Sequence, residues 1–199
     1  MGHYRQHYAI GLGLSLWAFL GGTAIAVPGN STAAVEAWIN AHPTLRPGPT
    51  ERLVVNRAET PARRFRFRAT VIPVTGITPD LVLGRLIRTE EASLVDIVDG
   101  ITANRMEEAL RVIYDATIYN DYRRAAVVYR YSNADTVVMT NGVLRQGELR
   151  QGDRFAYWWE LTGNSQGFTS MGKITVFLIE DLPPLQERLQ ATFETGIAE

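Results

Sequence analysis

The sequence predicts an α+β domain: an antiparallel meander sheet of about five to six strands, helices packed on one face, and an N-terminal signal or anchor helix. Three observations predict it. An uncharged apolar run, Ala9–Val27, stands behind a short basic tip. The middle of the chain places apolar residues at helical spacing between turn signals. From Arg124 onward the period changes to two, and short polar turns separate the segments.

The leader decides where the body is expected to reside. Its hydrophobic heart, Ala9 to Leu20, is followed by Gly21, Gly22, Thr23, Ala24, Ile25 and Ala26. Ala24 and Ala26 form the small-x-small pattern of a signal-peptidase site, with Val27 as the new first residue. The competing reading is a retained anchor, since the run approaches the ~20 residues a bilayer needs. Both readings export the body, and membrane contact is expected only if Met1–Ala26 is retained. The expected division is 1–26 leader, 27–50 helical arm with a Pro/Gly linker, and 51–199 one domain.

Composition narrows the chemistry. Among 199 residues there is no cysteine, so thiolate nucleophiles, cysteine zinc sites and disulfides are excluded. His42 is the one histidine beyond the leader, which rules out a multi-histidine metal site within one chain. Lys173 is the one lysine; the other basic residues are arginines. No cofactor or metal is expected. Nucleic acid is not expected as a partner of an exported body.

Asn30 or Ser31 caps a helix to about Ala41, with Val35, Trp38 and Ile39 as its stripe, and His42-Pro43 stops it. In Arg63–Val74, alternation puts Phe65, Phe67, Ala69 and Val71 on one face and Arg64, Arg66, Arg68 and Thr70 on the other. Thr78-Pro79-Asp80 reads as a helix start. Thr89-Glu90-Glu91 reads as the opening of a second short helix, closed by Gly100. Asn104-x-x-Glu107 resembles a capping box for a helix over Arg105–Tyr119.

Strands follow at Ala125–Tyr131, Asp135–Thr140, Val143–Arg150, Arg154–Leu161 and Lys173–Glu180. Asn141-Gly142 is a hairpin signal. The strand from Lys173 is apolar on both faces and so expected at the centre. Asp181-Leu182-Pro183-Pro184 starts a last helix striped by Leu185, Leu189 and Phe193.

Two sites stand out. Arg46–Arg68 carries seven arginines against Glu51 and Glu59, whereas Asp80–Asp121 carries nine acids against four arginines. Arg64, Arg66 and Arg68 lie about 7 Å apart on one strand face. They either pair with acids of their own fold or grip an external anion. On the aromatic strand, Trp158 and Glu160 share a face, which suits sugar stacking, a protein hot spot or plain packing under a helix. Glu160 with Asp153 or Glu180 is the one carboxylate pairing that a hydrolase could use. Tyr114, Tyr119, Tyr122, Tyr129 and Tyr131 bracket the helix-to-sheet junction.

The tracts Arg52-Leu-Val-Val-Asn-Arg57, Thr60-Pro-Ala-Arg-Arg-Phe65, Glu107-Glu-Ala-Leu-Arg-Val-Ile-Tyr114 and Asp121-Tyr-Arg-Arg124 resemble uncharacterised exported proteins of cyanobacteria. The resemblance implies the periplasm or thylakoid lumen and no activity. The expectation is an exported, non-enzymatic accessory protein. Arg64, Arg66 and Arg68, with the aromatic strand, dock it on a protein assembly or an anionic envelope or membrane surface. The alternatives are a binding module for sugar or peptidoglycan fragments, through Trp158 and Glu160, and a carboxylate hydrolase.

Overall fold

Helix α1 (Thr32–Ala41) begins where the sequence places it: Ser31 accepts a hydrogen bond from the N–H of Ala34 at 3.2 Å. Its Val35 and Ile39 are buried. The computed structural model describes residues 28–76, 86–133 and 142–194. The leader, the helix start at Thr78-Pro79-Asp80 and the strand expected at Asp135–Thr140 therefore lie outside the described residues.

Three strands follow α1: β1 (Val54–Thr60), β2 (Arg63–Thr70) and β3 (Thr89–Asp96). Helices α2 (Ala103–Ile113) and α3 (Ala116–Arg124) come next. Then come β4 (Ala126–Ser132), β5 (Val143–Gln151), β6 (Phe155–Asn164), β7 (Thr169–Leu178) and helix α4 (Leu182–Glu194). The strands form one seven-stranded sheet in the order β1-β2-β3-β7-β6-β5-β4, and every pair is antiparallel. Two meanders, β1–β3 and β4–β7, are thus sewn together along β3 and β7. The chain travels between them through α2 and α3.

Four expectations are corrected. The sheet has seven strands rather than five or six, because β1 and β3 were not anticipated. Thr89–Asp96 is a strand rather than a helix opening: all eight residues pair with β2, and Thr89 to Val95 pair with β7. Its alternation is hidden because an acid, Glu90, occupies a core-facing position. The helix expected over Arg105–Tyr119 is two helices. Thr102 caps the first by accepting from the N–H of Arg105, and Asp115 caps the second by accepting from the N–H groups of Thr117 and Ile118.

Helices also lie on both faces rather than one. The inner core gathers Val35 and Ile39 of α1, Met106 and Leu110 of α2, and Ile118 and Tyr122 of α3 over Phe67, Tyr157 and Ile174. The outer core gathers Leu182, Leu185 and Leu189 of α4 over Leu149, Ala156, Trp158 and Phe177. β6 and β7 are apolar on both faces, so each face needs a cover. β7 is central, as its residues foretold. Gly172 makes the inner packing possible, since a Cβ there would stand 2.5 Å from the Met106 sulfur.

Candidate functional site

The alternation of β2 turns Phe67 and Ala69 into the inner core and leaves Arg64, Arg66 and Arg68 exposed on the outer face. Register then decides their neighbours. Arg66 stands between Asn56 of β1 and Ser93 of β3, and Ser93 pairs with Lys173 of β7, itself opposite Glu160 of β6. One strand position away, Arg68 aligns with Glu91, Thr175 and Trp158. On the other side, Arg64 aligns with Val95, Met171 and Thr162. All five residues singled out in the sequence therefore share one sheet face. Roughly 14 Å separate β2 from β6 at normal strand spacing.

The two ends of these rows differ. α4 packs on Leu149, Ala156, Trp158 and Phe177, whereas the face of β1 to β3, with Met171 of β7, is an open groove of about 520 Å³ lined by the arginines, Glu91, Ser93, Val95 and Met171. Arg68 meets Glu91 at 3.7 Å, and Glu91 also accepts from the Ser93 hydroxyl at 3.1 Å. Among the described residues, no ion pair reaches Arg64 or Arg66.

At the covered end, Glu160 is 4% exposed and every neighbour is matched to it. One carboxylate oxygen receives Arg145 and Lys173, each at 3.3 Å, and the other accepts the Tyr131 hydroxyl at 2.6 Å. The Trp158 indole N–H donates to the same Tyr131 oxygen at 2.9 Å, and Lys173 Nζ sits 3.9 Å from the Trp158 ring centre. Phe193 of α4 stacks on Tyr131 with centroids 4.1 Å apart. Tyr131 reaches this cluster by crossing β5 at Gly147, where a Cβ would lie 2.5 Å from its hydroxyl oxygen. Trp158 thus works as packing beneath a helix, its N–H committed and a cation over its ring.

The hydrolase pairings do not assemble. Phe155 aligns with Leu178 at one end of the sheet, so Asp153 and Glu180 lie beyond that end. Glu160 is five residues further along β6, about 17 Å away, outside the ~5–10 Å that paired glycosidase carboxylates need. Asp153 instead faces Arg124 at 3.9 Å, and Glu180 faces Arg88 at 2.7 Å. The tyrosines do not form one pocket either. Tyr114 and Tyr122 belong to the inner core, while Tyr129 and Tyr131 stack at the outer one.

His42 closes α1. Its Nδ1 accepts the N–H groups of Thr44 and Leu45, each at 3.1 Å, so Nε2 carries the proton and donates to the Ile113 carbonyl at 2.9 Å. Burial lowers its pKa, and the neutral ring fits this arrangement. The more unusual titratable group is Glu90, which is fully buried under the helices. Tyr114 donates to one of its oxygens at 2.7 Å, and the other oxygen has no partner among the described residues. Burial raises its pKa to about 7, against the pull of the Tyr114 hydroxyl.

Sequence reasoning missed Lys173, Arg145, Ser93 and Met171 as members of this face. Nothing local marks them; only the register of β3, β5 and β7 brings them to it. Among the described residues there is no cluster of acids or histidines able to hold a metal ion. Nor is any described helix long and apolar enough to cross a membrane. Comparison with known proteins found no matching family model, curated protein or solved structure.

Proposed function

We propose that the protein is an exported, non-enzymatic accessory module that docks on an anionic partner through the open outer face of β1, β2 and β3. One observation carries the reading. Lys173 and Arg145 share the buried carboxylate of Glu160, while Arg64 and Arg66 are exposed and, among the described residues, form no ion pair. Cations held on a rigid strand about 7 Å apart keep their charge for an incoming ligand and lose little backbone freedom on binding. The leader supports export, and the resemblance to cyanobacterial exported proteins supports the periplasm or thylakoid lumen as the compartment.

Retention on immobilised poly-glutamate tests the docking. The wild type is expected to bind at low salt and elute as the Debye length falls from about 30 Å at 0.01 M towards 3 Å at 1 M. The Arg64→Ala/Arg66→Ala/Arg68→Ala variant is expected to flow through. Identical elution of the two proteins overturns the proposal.

A further inference from the structure

We infer that the anionic partner is a lipid bilayer surface, met end-on by the β3–α2 and β6–β7 turns with Arg64 and Arg66 just behind them. This rests on the docking reading above and names its partner.

Four large apolar side chains are exposed at one end of the sheet: Ile97 (59%), Val98 (62%), Phe168 (40%) and Met171 (50%). Register places them together. Ile97 follows the last residue of β3, and Phe168 precedes the first residue of the adjacent β7. The two turns are clasped: the Ile101 N–H donates to the Thr169 carbonyl at 2.7 Å, and the Thr169 hydroxyl donates to the Ile101 carbonyl at 2.6 Å. Gly100 has φ +75, and a Cβ there would stand 3.2 Å from the Phe168 ring. Ile97, Val98 and Phe168 therefore project from two fastened turns, and Met171 continues them along β7 to the rim of the groove.

The arginines lie at a matching height. Arg63 aligns with Asp96, so Arg64 stands about 7 Å and Arg66 about 13 Å behind Ile97 along the strand. Interfacial segments sink about 5–10 Å into the headgroup boundary. Turn tips at that depth bring Arg64 level with lipid phosphates and Arg66 just outside them. Val95 and Met171 flank Arg64 in its row, so an apolar strip runs unbroken from the groove to the tips. Acids at this end are mostly answered. Arg63 pairs with both Asp96 and Asp99 and Arg105 holds Asp96 at 2.9 Å, which leaves Asp99, paired but 63% exposed, and the exposed Glu59 as the acids facing outward among the described residues.

A protein partner reading acidic side chains through the groove would need the arginines but not the tips. That difference makes the test. The chain has no cysteine, so Val98→Cys and, as a remote control on α4, Glu187→Cys each accept one environment-sensitive fluorophore. The full-length labelled proteins are mixed with phosphatidylglycerol-containing or purely phosphatidylcholine vesicles. The expected result is a blue shift at position 98 on anionic vesicles only, with none at position 187. Partitioning should fall roughly 30-fold with Arg64→Ala/Arg66→Ala, and roughly tenfold or more with Ile97→Ser/Val98→Ser.

A silent position 98 on anionic vesicles, with poly-glutamate retention intact, overturns the lipid inference and leaves the docking proposal standing. An equal response at position 98 on neutral vesicles also overturns it, because the anionic surface would then play no part. Loss of both vesicle and poly-glutamate binding overturns both readings.

Discussion

The two halves of the outer sheet face carry the same kinds of side chain and treat them in opposite ways. Under α4, a carboxylate sits with a lysine, an arginine and a tyrosine, and its charge is answered within the fold. Three strands further on, Arg64 and Arg66 of β2 lie open, and Arg68 has a single carboxylate at 3.7 Å. Burial explains the contrast. A charge taken from water costs several kcal/mol unless it is paired, whereas a solvated one costs almost nothing to leave alone. The covered half is therefore read as structure and the open half as available for recognition.

The largest way to break that comparison is Glu160→Ala. It leaves Lys173, Arg145 and the Tyr131 hydroxyl without their acceptor; because the two cations keep part of their hydration, a loss of about 2–3 kcal/mol is expected in urea unfolding. A loss under 1 kcal/mol would show the cluster to be ornamental.

The inner face supplies the counter-case, a buried acid without a cation. Glu90 is held near 7 instead of its ordinary 4.5 by burial. The fold therefore prefers the neutral acid, and that contribution is full below pH 4.5 and lost as pH rises through about 7. Glu90→Gln should remove the dependence, gaining up to about 3 kcal/mol over wild type at pH 8 and nothing comparable at pH 4.5. A parallel pH–stability curve for the two proteins would contradict this.

Gly147→Ala is expected to cost about 1–3 kcal/mol, because the new methyl meets the Tyr131 hydroxyl and the Trp159 carbonyl, the latter at 2.6 Å. Thermal scans check it: a shift of about 2–4 °C accompanies each kcal/mol at this size. Smallest of all, Arg64→Ala or Arg66→Ala should change stability by no more than about 0.5 kcal/mol.

How much of this was legible depends on whether the deciding contact is local. The arginine stripe was, because strict alternation with Phe65, Phe67 and Ala69 needs no partner strand to interpret. So was the double-faced burial of β7, although apolar residues on both faces do not by themselves say which elements cover each face. β3 was misread because Thr89-Glu90-Glu91 carries the hydroxyl and acids of a helix start, and the tertiary fold overrides them by burying Glu90 against Tyr114. The break between α2 and α3 turns on Asp115, a capping residue placed inside an otherwise helical spacing. The Glu160 cluster draws on β4, β5, β6 and β7, so it exists only once their register is known. The apolar tips were equally hidden, since Ile97 and Phe168 are far apart in the chain and meet only at the end of the sheet.

The most direct test of the contrast joins stability and binding in one protein, the Arg64→Ala/Arg66→Ala/Arg68→Ala variant. The account predicts a melting temperature within about 3 °C of wild type, together with loss of poly-glutamate retention. A fall of 10 °C or more, or retention unchanged, would mean that these arginines serve the fold and not a partner.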